Sequence, residues 1–124
     1  MKGGWLAKWA YPSTVIGFIL SDVVGDPLDV IGSGPAVPDT STFGEAWEII
    51  KNYDLIEKIA PSIRRHLLLG KEGKIEETSK PGDVTFEKVY HILIGSNILA
   101  LRATEKEASS YGFNTLILSS SIVG

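Results

Sequence analysis

The sequence has no cysteine among its 124 residues. That excludes disulfides, iron–sulfur clusters and thiolate zinc sites, and it fits a reducing compartment. Histidine is nearly as scarce. His66 and His91 stand far apart, so a histidine-rich metal centre is not expected. Basic charge is not in excess either: 12 Lys and Arg against 15 Asp and Glu give a net charge of −3. A non-specific nucleic-acid binder carries the opposite, a basic stripe. The longest strongly apolar run, Val15 to Leu20, is far short of the roughly 20 residues that cross a bilayer. Met1-Lys2 followed by Trp5-Leu6-Ala7 loosely imitates a signal peptide, but Lys8 and Pro12 interrupt it and no small-residue cleavage site follows Leu20. The expectation is a cytoplasmic protein with no nucleic-acid partner and no membrane partner.

What is present is ordinary globular composition, 44% hydrophobic and 22% charged. A chain of this length buries roughly two-thirds of its unfolded surface, enough for one core. We therefore read residues 1–124 as a single α/β domain. Trp5, Leu6 and Trp9 share helical spacing, so 4–10 is read as a helix end closed off by Pro12. Thr14 to Leu20 is β-branched and apolar on both faces, the pattern of a strand buried on both sides in a parallel sheet. Asp22 to Thr40 is crowded with Gly, Pro and Asp, and its interspersed Val, Leu and Ile indicate an ordered loop packed on the body.

Thr42-Phe43-Gly44-Glu45 reads as a capping box, with Phe43, Ala46, Trp47, Ile50 and Tyr53 on the buried side of the helix behind it. A short helical stretch is expected over Leu55 to Ala60. Another begins at Pro61 and stops at Gly70, the proline-in, glycine-out asymmetry of helices. Lys71 to Asp83 is polar and turn-rich, and is expected to be mobile. Lys88 to Ile94 is a second apolar strand, a helix follows from about Ile98 to Tyr111, and Thr115 to Leu118 is read as a third strand. There is no internal repeat.

Strand, helices, strand, helix, strand is the alternation of an α/β sheet, and such sheets bind ligands outside the carboxyl ends of their strands. Each of those ends is polar here: Ser21-Asp22 with Asp26, Gly95-Ser96-Asn97, and Ser119-Ser120-Ser121. Gly95 lets a phosphate approach the backbone at a helix start, and Ser96 or Asn97 either adds a bond to it or simply caps the helix. Asp22 and Asp26 either hold Mg²⁺, accept a proton from a substrate hydroxyl, or fix the turn through backbone N–H groups. Ile31-Gly32-Ser33-Gly34-Pro35 is either a weak anion nest or only a turn. Trp5, Trp9 and Trp47 read as core or interface filler, His66 with Arg64 and Arg65 as a solvated helix face, and His91 as a satisfied buried histidine.

The string from Ser21 to Asp39, SDVVGDPLDVIGSGPAVPD, is far more specific than its parts. It resembles the signature of the glycerate 2-kinase family that carries a so-called MOFRL domain. Lys2-Gly3-Gly4 with Leu6-Ala7, Lys80-Pro81-Gly82-Asp83, Gly95-Ser96-Asn97 with Leu99-Ala100-Leu101, and Ser119-Ser120-Ser121-Ile122 match in the same order. The resemblance covers nearly the whole chain. It implies a Rossmann-like three-layer fragment, a mostly parallel sheet flanked by helices, from the larger domain of a two-domain enzyme. It also implies ATP binding and transfer of phosphate from ATP to the 2-hydroxyl of D-glycerate, giving 2-phosphoglycerate.

In that frame Asp22 or Asp26 holds Mg²⁺ or orients the glycerate hydroxyl, and Lys2 offsets charge on the transferring group. Ser33 and Gly34 line the crevice, and Gly95, Ser96, Asn97 and Ser120 meet phosphate or carboxylate. The family usually continues Glu-Gly-Glu after the serine run, where this chain has Val123-Gly124. We therefore expect a truncated piece with little activity of its own. The alternative is a non-catalytic or split-enzyme module, and exposed apolar surface would then favour homo-oligomers.

Overall fold

Two parallel strands organise the chain, and the computed structural model describes residues 2–122. A short helix, α1 (Trp5–Ala10), leads into β1 (Val15–Leu20). A long loop with one 3-10 turn at Ile31–Ser33 comes next, then α2 (Phe43–Asn52) and α3 (Pro61–Lys71). A second 3-10 turn at Val84–Phe86 precedes β2 (Val89–Gly95), and α4 (Asn97–Ser110) completes the regular structure. The architecture is α/β, with a two-stranded parallel sheet among helices.

β1 pairs with β2 from Val15↔Val89 to Ile19↔Leu93. The register then slips by one residue, so that Leu20 stands opposite Gly95. A slip of this kind bends the end of a strand and re-aims the residues beyond it. The half-buried set Val15, Gly17 and Ile19 lines a cavity of about 330 Å³ with Leu6, Leu28, Ile31 and Ala36. The other face is open, with Phe18 67% and Leu20 76% exposed beside Tyr90 and Ile92. Burial on both faces is therefore not what the structure shows, because the packed loop of residues 28–37 covers one face only. The accessible surface reports the same imbalance: 8863 Å² against about 6500 Å² for a compact monomer of this mass. Ala7 and Ala36 are the buried apolar residues among those described.

Thr115 to Leu118 does not join the sheet. It runs extended beside α4, tied at one end by Ser109 Oγ and Thr115 Oγ1 (3.0 Å) and at the other by Asn97 Nδ2 donating to the Ser120 carbonyl (2.7 Å). Those ties give it the direction of a third parallel strand. With no ladder to a sheet edge, Leu116 and Leu118 remain about four-fifths exposed, at 79% and 81%.

Thr42 and Glu45 form the capping box of α2, with Glu45 N–H donating to Thr42 Oγ1 at 3.1 Å and Thr42 N–H to Glu45 Oε2 at 2.8 Å. Phe43 then packs on α3: its ring meets His66 edge-on at 5.4 Å, and a Cβ on Gly70 would lie 2.2 Å from it. Gly70 is thus a contact point inside α3, which runs on to Lys71, and not its terminator. Tyr53, expected on the buried side of α2, is its exposed C-cap.

Leu55 to Ala60 makes one turn, closed by Lys58 and Ile59 N–H groups on the Leu55 carbonyl, and not a helix. Asp54 before it is left-handed, at φ 52°, and Ala60 precedes a proline, so too few residues remain to propagate one. Trp9 is exposed and does not fill a core. Trp5 lies beside it at 6.2 Å, with Lys8 Nζ 4.9 Å over its ring. His91 is half-buried beside Gly17, and Arg64 donates to Glu57 at 2.8 Å.

The polar stretch after α3 is stitched down and not loose. Glu77 accepts the Phe43 N–H at 2.8 Å, Ser79 O accepts the Asp39 N–H at 3.0 Å, and Lys8 pairs with Glu76.

Candidate functional site

The carboxyl ends of β1 and β2 open side by side, because Ser21 N–H donates to the Gly95 carbonyl at 2.9 Å and carries the pairing one step past the strands. Ser21 is buried, and its hydroxyl accepts the Val23 N–H at 3.2 Å, turning the chain so that Asp22 is exposed at the mouth. Leu20, Ser21 and Asp22 on one side, with Gly95, Ser96 and Asn97 on the other, line a crevice of about 770 Å³.

Ser96 has extended backbone angles and caps α4. Its Oγ accepts the Leu99 N–H at 3.4 Å, and its carbonyl accepts the Ala100 N–H at 3.0 Å. The bland reading of Ser96 is therefore realised. The first N–H groups of a helix have no partner within it, which leaves the Asn97 and Ile98 N–H groups at the positive end of a 14-residue helix. Asn97's own side chain donates to the Ser120 carbonyl at 2.7 Å, which brings the serine run to the same corner.

Asp26 does not share that crevice. Its N–H donates to the Val23 carbonyl at 3.1 Å, and it sits in the left-handed region at φ 52°, closing the turn after Asp22. Among the described residues no group of three or more acidic or histidine side chains converges on a metal position. The crevice does present the Asp22 carboxylate, a hard oxygen donor. One carboxylate plus substrate phosphates is a usual protein share of a Mg²⁺ site, so the donor chemistry fits.

Lys2, Ser33 and Gly34 come together elsewhere, in a cavity of about 330 Å³ that Asp29, Asp39 and Ser41 also line. Three successive residues there, Gly32, Ser33 and Gly34, have positive φ (59°, 63° and 54°), and a Cβ on Gly34 would meet the Asp29 Cα at 3.1 Å. The resulting kink offers its carbonyls outward. Gly3 N–H takes Ser33 O at 3.0 Å, Gly4 N–H takes Gly34 O at 2.8 Å, and Leu6 N–H takes Pro35 O at 2.9 Å.

Asp39 Oδ1 accepts from Ser41 N–H at 2.9 Å and Ser41 Oγ at 2.7 Å. Burial by itself would raise its pKa. The two Ser41 bonds, the Thr78 hydroxyl and the nearby Lys80 charge outweigh that and hold its carboxyl below the usual carboxylate range. Lys80 Nζ also donates to the Ser41 carbonyl and to Thr78 Oγ1, the latter at 2.9 Å.

Sequence reasoning missed Asp39, Ser41, Thr78 and Lys80 as one network. The only signal was Lys80-Pro81-Gly82-Asp83 as a motif, which says nothing of a partner 41 residues away.

Comparison with known proteins fits this geometry. Residues 1–68 match a family model described as a domain of unknown function, DUF4147. The chain is 41% identical over all its 124 residues to a glycerate 2-kinase of Pyrococcus horikoshii, covering 27% of that protein. It is 38% identical over the same length to a glycerate kinase of Danio rerio, covering 25% of it. The crystal structure of a glycerate kinase from Thermotoga maritima superposes with a TM-score of 0.74 at 35% identity, over 94% of this chain and 25% of that one. The chain thus spans about a quarter of the length of the relatives it matches.

Proposed function

The chain belongs to the DUF4147 family, and from that premise we propose that it forms the strand-end half of a glycerate 2-kinase site. Such a site transfers phosphate from ATP to the 2-hydroxyl of D-glycerate and yields 2-phosphoglycerate. The observation that carries this reading is the meeting of Asp22, Gly95 to Asn97 and Ser120 outside the carboxyl ends of two parallel strands. Glycerate-kinase names on the relatives support the substrate class.

Phosphoryl transfer asks a protein for alignment and charge neutralisation more than for covalent chemistry. The Asn97 and Ile98 N–H groups at the start of α4 bind an oxyanion, helped by the helix dipole. Gly95, without a side chain, leaves the backbone approachable. Asp22 either takes the proton of the attacking hydroxyl or holds the Mg²⁺ that accompanies ATP. Bound MgATP supplies the phosphoryl group and neutralises its developing charge. Ser96 serves as the cap that fixes α4. Asp26 shapes the turn that presents Asp22. Lys2, Ser33 and Gly34 build the neighbouring cavity and are not proposed to touch the transferring group.

The large accessible surface and the open sheet face support a second part of the proposal: the remaining ligands of the site come from polypeptide outside these 124 residues. Alone, the chain is then expected to turn over D-glycerate negligibly and to self-associate through that face.

The test is a chimera in which this chain replaces the matching quarter of the Pyrococcus horikoshii glycerate 2-kinase. Turnover with MgATP and D-glycerate that is lost when Asp22 is changed to Asn supports the reading. A folded chimera that binds neither substrate sinks it.

A further inference from the structure

The side chain that the crevice geometry offers most directly to a ligand is Asn97, and it is already engaged. Its Nδ2 donates to the Ser120 carbonyl at 2.7 Å across 23 residues of chain. We propose that Asn97 is a positioning residue. Its amide clasps the serine run to the start of α4, and the crevice meets a phosphate oxyanion through the Asn97 and Ile98 backbone N–H groups instead of through the Asn97 side chain. The oxyanion part rests on the glycerate-kinase reading above; the clasp does not.

Three observations carry it. The segment from Thr115 to Ser120 has no strand ladder, so its attachment to α4 rests on side-chain bonds at its two ends, Ser109 with Thr115 and Asn97 with Ser120. The serine run is already folded on itself, Ser121 N–H and Ser121 Oγ each lying 3.0 Å from Ser119 Oγ, so one external bond orients the whole turn. The Ser96 hydroxyl is engaged as the cap of α4 and cannot take the place of the Asn97 amide. Breaking the clasp therefore frees the serine run while leaving α4 in place.

Asn97→Asp separates these roles. Aspartate is isosteric and is favoured at the first turn of a helix, so α4 is retained. A carboxylate cannot donate to the Ser120 carbonyl, so the clasp is lost. In the 124-residue chain, hydrogen exchange of the Ser119 to Ile122 amides is expected to quicken about three- to tenfold, the range of one net hydrogen bond. Amides of α4 and of both strands keep their wild-type protection. Unchanged exchange at Ser119 to Ile122 overturns the clasp.

Should the variant unfold α4, the wild-type chain still decides, by NMR titration with inorganic phosphate. Backbone N–H signals of Asn97 and Ile98 that move while the Asn97 side-chain amide stays fixed support the proposal. A side-chain amide that moves with phosphate overturns it. A chain that ignores phosphate while Asn97→Asp still loosens the serine run leaves the clasp standing and removes the oxyanion part, together with the site reading it rests on.

Discussion

The strand-end crevice and the Lys2–Ser33–Asp39 cavity are both polar, both built partly from loops, and both marked by sequence motifs, yet their polar groups are in opposite states. In the loop cavity nearly every donor and acceptor named has a partner within the chain. Backbone N–H groups of Gly3, Gly4 and Leu6 meet the 33–35 carbonyls, and Asp39, Ser41, Thr78 and Lys80 satisfy one another. In the crevice the Asp22 carboxylate is exposed, and two helix-start N–H groups point outward without intrahelical partners. A motif thus marks a place where the chain must adopt one shape. Whether that shape serves a ligand or the fold depends on which polar atoms are left over.

This contrast is best broken by paired substitutions, one in each region. Asp22→Asn in the chimeric kinase should cut kcat by about 10²–10³-fold, the scale of a lost general base or metal ligand, with little change in thermal midpoint. Asp39→Asn should do the reverse, lowering the midpoint with turnover per folded molecule kept. Equal losses of turnover from the two would erase the distinction.

Next in size is Gly34→Ala. A Cβ in the left-handed region, pressed against the Asp29 backbone at 3.1 Å, is expected to cost about 1–2 kcal/mol in urea unfolding. A neutral result would mean the kink of residues 32–34 relaxes freely and does not anchor α1.

Thr42→Ala removes the oxygen that accepts the Glu45 N–H and should destabilise by about 1 kcal/mol without affecting phosphate binding at the crevice. An equal loss in the Glu45→Gln variant would show that charge, and not the cap oxygen, carries the effect.

The smallest effect is in pH. Asp39 is held below its ordinary pKa in the folded chain, so its contribution is fully present above the unfolded value and is lost as pH falls through the folded one. Acid titration of stability should therefore be shallower in Asp39→Asn, in the region below the usual carboxylate range of about 4.

How much of this was legible beforehand depends on the range of the interactions. The Thr42–Glu45 box, the proline start of α3, both strands and α4 were readable because their hydrogen bonds close within a few residues or their pattern is local. Gly70 was read as a helix stop because its real constraint, the Phe43 ring, lies 27 residues upstream. The stretch after Lys71 was read as loose because Glu77 and Ser79 find their partners on α2 and in the long loop. The third strand was read from composition alone. Composition reports that a segment can pair, but pairing also needs an open edge brought alongside it.

The residues by themselves determined the α/β alternation, the family likeness in the Ser21–Asp39 string, and the polar character of every strand end. The tertiary structure alone decided that one sheet face is left uncovered and that Asp22 and Asp26 part company across a turn. It also decided that Lys2, Ser33 and Gly34 gather away from the strand ends, and that Asn97 turns to Ser120. Local pattern carries propensity and capping because those energies depend on near neighbours. Which of two polar clusters keeps unpaired groups depends on bonds between residues distant in sequence, and only the folded chain brings those partners together.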